Sequence, residues 1–231
     1  MGEQRQVSRQ PPDGQQFDTM RREADATGTF QGIDEMNAQA QEIILSGRAR
    51  KAFDLSEEDP KLVESYGPGW GEQALLARRF IESGVRFVTL NTGYWDDHGN
   101  LKNALNDKMV RHDRAVGVLI KDLSDRGMLD DTLVVTAGEF GRTPRINGNA
   151  GRDHWPQAQS ILIAGGGFQH GQFIGATNSK AEHPVDRPIK PADLNAIIYH
   201  SLGLRAEDTY PNLAGRPIHL YEKGVVPREL L

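Results

Sequence analysis

Asp96 and His98 lie two residues apart in Trp95-Asp96-Asp97-His98. On an extended segment, residues i and i+2 point to the same side. A carboxylate and an imidazole can therefore face one ligand together while Asp97 faces away. Further along, the β-branched run Leu133-Val134-Val135 delivers Glu139 into a glycine-punctuated loop, and Asp153 and His154 follow in that same loop. Asp96, His98, Glu139, Asp153 and His154 together offer oxygen and imidazole donors. The chain has no cysteine, so thiolate sites are excluded, and the donor set suits zinc first, with manganese or calcium as alternatives. Arg142 and Arg145 follow Glu139. Arginine forks bind sulfate, phosphate or carboxylate oxygens in pairs, which makes Arg142 a candidate anion contact. Each acid–histidine pair alone also suits a surface turn, and each arginine also suits an ordinary salt bridge. Three such sets, each beside a strand end or a glycine-rich loop, favour a site.

The elements that must position these groups follow from periodicity. Residues 71–83 carry Leu75, Leu76, Phe80 and Ile81 on one face, with Gly84 as the stop, and residues 85–90 then read as a strand. The clearest helix covers about 103–126, where Leu105, Met109, His112, Val116, Leu119 and Leu123 recur at four- and three-residue steps. His112, on that apolar face, reads as a packed histidine rather than a ligand. Apolar runs at 132–137 and 160–164 read as buried strands, with the long loop 138–156 between them. Pro191 opens a helix over 191–202, and 215–220 fits an edge strand. A helical pattern also runs from Asp34 to Ala52, and Ser56 with its following acids opens a short helix. The order predicts an α/β fold, a mostly parallel sheet sandwiched by helices, with strand C-terminal ends carrying the site. Residues 1–34 are Gln-, Arg- and Gly-rich and read as a flexible segment; 35–231 read as the folded part.

Composition narrows the function. Net charge is −5 over 231 residues, with acids and bases mixed along the chain. No basic groove is marked out, so nucleic acid is not the expected partner. No apolar run approaches a spanning length of about 20 residues, so no membrane partner is expected either. The N-terminus has no apolar h-region, hence no signal peptide in this chain. The phosphate-cradling loop, the paired-histidine zinc helix and the nucleophile-elbow serine motif are all absent. Gly165-Gly-Gly-Phe-Gln-His-Gly171 misses the dinucleotide fingerprint because His170 stands at its third glycine.

Five stretches, Trp95-Asp-Asp-His-Gly-Asn100, Gly127-Met-Leu-Asp-Asp-Thr-Leu-Val-Val135, Gly138-Glu-Phe-Gly-Arg-Thr-Pro144, Gly151-Arg-Asp-His-Trp155 and Gly215-Arg-Pro217, resemble the DUF1501 proteins, sulfatase-like members of the alkaline phosphatase superfamily. The resemblance covers roughly 35–222. It implies an α/β/α sandwich with metal ions at strand C-termini and hydrolysis of sulfate or phosphate esters, from small molecules or polysaccharides. It also implies metal ligation by Glu139, by Asp153 with His154, and by Asp96 with His98. Family members are roughly twice as long, and their first half carries an early metal-binding Asp and the nucleophile. The resemblance thus implies a C-terminal portion lacking the nucleophile. Relatives are often exported. The rival expectation is a non-catalytic metal-binding or interaction domain derived from such an enzyme.

Overall fold

The computed structural model describes residues 47–221 and 223–231. The expected flexible segment 1–34 and most of the helix expected over 34–52 lie outside these residues. The chain divides into two units between Asp54 and Leu55. Of the first unit, helix α1 (Arg48–Phe53) is described.

The second unit opens with a 3-10 turn, Leu55–Glu57, and helix α2 (Pro60–Tyr66). Pro60 sits in the first turn, where its missing N–H costs nothing, and the Asp59 carboxylate accepts the Lys61 N–H at 2.9 Å. Helix α3 (Trp70–Glu82) follows, with Glu72 accepting the Gly69 N–H. Helix α4 (Leu101–Asp125) is the longest, and its capping residue Asn100 adopts the left-handed conformation at φ 47°. The apolar faces of α2, α3 and α4 meet around Tyr66, Ala74, Leu75 and Ala115. Ala74 and Ala115 are small enough to let the helices close on the fully buried Leu75. Burying such a leucine stabilises by roughly 1.5–3 kcal/mol.

One buried ionic cluster fastens the same helices. Arg78, with its side chain fully buried, donates Nε to Asp122 Oδ2 at 3.0 Å and Nη1 to Glu82 at 2.6 Å. Its Nη2 lies 2.8 Å from Glu58, close in distance though outside hydrogen-bond geometry. The Tyr66 hydroxyl donates to the same Asp122 oxygen at 2.9 Å. Burial, reinforced by the Asp122 charge, pushes the Tyr66 pKa well up.

The strands form four separate antiparallel pairs. Strand β1 (Val134–Thr136) pairs with β4 (Leu162–Ala164), Val135 facing Ile163. Strand β2 (Gly141–Arg142) pairs with β3 (His154–Trp155). Strand β5 (Ala176–Thr177) pairs with β6 (Pro184–Asp186), and β7 (Thr209–Pro211) with β8 (Pro217–His219). Helix α5 (Pro191–Ser201) buries Ile197 with Phe168 and Leu230 in a second core, against which Leu133, just before β1, and Ile163 of β4 pack.

Helices are found over all three stretches where periodicity placed the longer ones. The expected parallel sheet is not formed among the described residues, where every ladder is antiparallel and two strands wide. Between β1 and β4 the chain runs through the β2–β3 pair with no helix. The helical crossover that usually joins neighbouring parallel strands is missing there. Residues 85–90, expected as a strand, run without a ladder partner, leaving Val85 44%, Phe87 62% and Leu90 38% exposed.

Candidate metal centre

Two backbone segments build the centre. The first, Trp95 to Asn100, leads into α4. Its Asp97 turns away and accepts both a 2.7 Å and a 2.9 Å bond from Lys108 Nζ on that helix. Trp95 stacks on Trp70 at 5.7 Å between centroids and meets the edge of His112 at 5.7 Å. The segment therefore enters the centre from a rigid helical base, with Asp96 and His98 on the side opposite Asp97. The second segment is the β2–β3 pair, whose register sets Arg142 directly across from His154.

Loop 147–151 joins the two segments. Asn100 N–H donates to Asn149 O at 3.0 Å and Leu101 N–H to Ala150 O at 2.9 Å. Gly151 must be glycine: a Cβ there would lie 2.1 Å from the His98 carbonyl carbon.

Three donor atoms converge. Asp96 Oδ1 lies 2.9 Å from His98 Nε2 and 2.9 Å from His154 Nε2, and the two imidazole nitrogens stand 3.2 Å apart. In a tetrahedral zinc site, bonds of roughly 2.0–2.1 Å place ligand atoms about 3.3 Å apart. The observed triangle is close to one face of such a tetrahedron, so the donors fit a divalent ion with open coordination positions. With His98 Nδ1 donating to Asp153, two neutral rings supply at most one proton for the three contacts of this triangle. All three side chains are about half exposed, which leaves the open side to solvent. Among the described residues, these are the acid and imidazole donors that gather to within 4.8 Å of one another.

The other expected site residues take different places. Asp153 Oδ1 receives His98 Nδ1 at 2.9 Å, on the far side of the ring from the convergence point. Along extended backbone, neighbouring side chains face opposite ways, so Asp153 and His154 do not address one point. Asp153 instead holds the other nitrogen of the His98 ring, and a carboxylate so placed fixes the orientation and tautomer of its imidazole. Arg142 is tied up within the protein, with Nη2 donating to Asp96 Oδ1 at 2.6 Å and to Trp95 O at 3.0 Å. It braces the Asp96 carboxylate from within the protein. Glu139, two residues ahead of β2, is exposed and outside the converging group. Asn147 was legible only as a turn or orienting residue, yet its side chain reaches both His98 and Asp153.

Electrostatics agree with this division. His154, then Arg142, hold the Asp96 carboxyl down to about 2. The hydrogen bond from His98, followed by that from Asn147, lowers Asp153. Asp153 in turn raises the His98 pKa above its ordinary value. Both acids are thus ionised at neutral pH. Phe140 packs on the His154 ring with centroids 4.5 Å apart, fixing the second imidazole from its face.

The sequence model of a family described as "Protein of unknown function (DUF1501)" matches residues 3–231. No curated protein and no solved structure matches the chain.

Proposed function

We propose that this chain, which belongs to the DUF1501 family, holds a divalent metal at Asp96, His98 and His154 and serves in hydrolysis of sulfate or phosphate esters. The observation that carries the reading is the convergence of Asp96 Oδ1, His98 Nε2 and His154 Nε2 within 3.2 Å of one another. The carboxylate contributes one negative charge and the imidazoles none, so a bound dication keeps a net positive charge for an anionic ester. Zinc is the first candidate for a nitrogen-rich set, ahead of manganese, and calcium is the poorest fit. When bound, such an ion supplies Lewis acidity toward an ester oxygen and lowers the pKa of a water molecule. The protein's own part is positional: Asp153 sets the His98 tautomer, Arg142 fixes Asp96, and Phe140 fixes His154. The finer assignment, a sulfatase-like branch of the alkaline phosphatase superfamily with a layered parallel sheet, rests on the motif resemblance. The unladdered segment 85–90 and the single-partner strand β1 are where further strands of such a sheet would add.

A second reading, metal binding without turnover, has its own support. The Thr143 hydroxyl donates to Arg145 O at 2.9 Å and accepts the Asp153 N–H at 3.1 Å. It is engaged in the loop and not poised as a nucleophile. Assay of aryl sulfate and aryl phosphate hydrolysis separates the two readings. Turnover that stops with a chelator, returns with zinc or manganese, and is lost in His154→Ala supports the hydrolase. Stoichiometric metal with no turnover of either ester supports the second reading. Turnover indifferent to chelator and to His154→Ala contradicts the first.

A further inference from the structure

We infer that Asn147 is the positioning residue of this metal centre, holding Asp153 and the His98 backbone in one arrangement so that His98 Nε2 faces the ion. The inference rests on the metal reading above and adds a residue that neither segment of the centre contains.

All the hydrogen-bonding capacity of the Asn147 side chain is used, and it is divided between two tasks. Its Oδ1 accepts the N–H groups of Asn149 and Gly151, each at 3.0 Å. These bonds close the turn of its own loop, together with Asn147 N–H to Gly151 O at 2.9 Å. Its Nδ2 donates outward, to His98 O at 3.1 Å and to Asp153 Oδ1 at 3.0 Å. The Asp153 oxygen that takes this proton is the one that receives His98 Nδ1. One amide therefore holds His98 at two points, its carbonyl directly and its imidazole through the carboxylate. A carboxylate oxygen can accept two hydrogen bonds at once, so the Asn147 and His98 donors reinforce a single orientation.

The loop that presents Asn147 is strongly constrained. Ala150 sits at φ 57°, a conformation that disfavours any residue with a Cβ. It is held there by its N–H to Asn147 O at 3.1 Å and by an isolated antiparallel bridge to Gly99, next to His98. Strain kept in place by surrounding bonds is characteristic of functional loops. Here the bonds that hold it are those that join Asn147 to the ligand segment. Outer partners of metal-binding histidines change affinity by about 10–100-fold when altered, and Asn147 stands one bond beyond that partner.

The test is zinc affinity, measured by competition with a chromogenic chelator on the full chain, beside the urea midpoint of the metal-free form. Asn147→Asp keeps an oxygen for the Asn149 and Gly151 N–H groups while removing both outward donors. It is expected to weaken zinc about tenfold with the urea midpoint unchanged. In an Asp153→Ala background, where most of its route to the imidazole is gone, the same change is expected to cost only about twofold, since residues in one network do not add. Asn147→Ser provides a neutral comparison and is expected to follow Asn147→Asp. Unchanged affinity in these variants overturns the inference, as does an equal loss in both backgrounds. Failure of both variants to fold overturns it as well, because Asn147 would then be a structural turn residue. If the wild-type chain binds no zinc, the metal reading itself falls, an outcome distinct from a wild type that binds while Asn147→Asp makes no difference.

Discussion

Two charged clusters in this molecule use nearly the same residue types to opposite ends. In the helical layer, Arg78 stands inside a ring formed by Glu58, Glu82 and Asp122, with the Tyr66 hydroxyl on the same Asp122 oxygen. Each cation there meets an anion, and Arg78, Glu58 and Asp122 are buried. At the centre formed by Asp96, His98 and His154, one carboxylate oxygen and two imidazole nitrogens converge, half exposed to water. Both clusters have shifted pKa values and short contacts, so neither property marks function. What separates them is geometry: the first pairs each cation with anions, and the second brings one carboxylate oxygen and two imidazole nitrogens to one exposed point.

Breaking the buried helical cluster should produce the largest effect on folding. Arg78→Met removes the fully buried cation of the cluster, while Arg79 and Arg126 remain as partners of Glu58 and Arg126 of Asp122, so the loss should fall below the roughly 3–5 kcal/mol of a buried charge left with no partner. Urea unfolding should show that loss, with zinc affinity nearly intact once the variant is folded. The converging cluster should respond the other way round. Asp153→Asn removes the carboxylate behind His98 and is expected to weaken zinc binding about 10–100-fold while leaving the urea midpoint of the metal-free form little changed.

The pH profile sharpens the contrast. A proton on His98 competes with the ion, and Asp153 raises the His98 pKa above its ordinary value. Zinc binding by the wild type should therefore fall off, as pH is lowered, at a pH above the ordinary histidine value of about 6.5. In Asp153→Asn the fall-off should move to lower pH. A fall-off that stays in place in this variant would dissociate Asp153 from the imidazole. The smallest expected effect belongs to Glu139→Ala. Its side chain is exposed and outside the converging group, so zinc affinity should stay within about twofold, an ordinary surface change. A larger loss would return Glu139 to the ligand set.

The sequence made the helices legible because α3, α4 and α5 carry their apolar residues at helical spacing. It made Asp96, His98 and His154 legible through residue type and the period-two rule. The roles of Asp153 and Arg142 were not legible, because whether an acid or a guanidinium contacts a metal, a ligand or a substrate depends on distances across the β2–β3 register, where Arg142 faces His154. Asn147 reads from the sequence as a turn residue or as one that orients ligands, because an Asn-Gly pair signals a turn; which groups its amide reaches, residues 98 and 153, leaves no local pattern. Strand direction was equally out of reach, since an apolar run such as Leu133-Val134-Val135 fits either pairing. The burial of Arg78 on α3 follows from Glu58 and Asp122 arriving from other elements, which leaves no local pattern.

The most direct test of the central claim is zinc stoichiometry and affinity of the purified chain, by elemental mass spectrometry and titration, with His98→Ala and His154→Ala beside it. Tightly held zinc is expected in the wild type and a loss exceeding about 100-fold in each variant, beyond what an outer partner costs, with metal-free stability unchanged. A wild type that takes up no zinc, or variants that hold it as the wild type does, would contradict that claim.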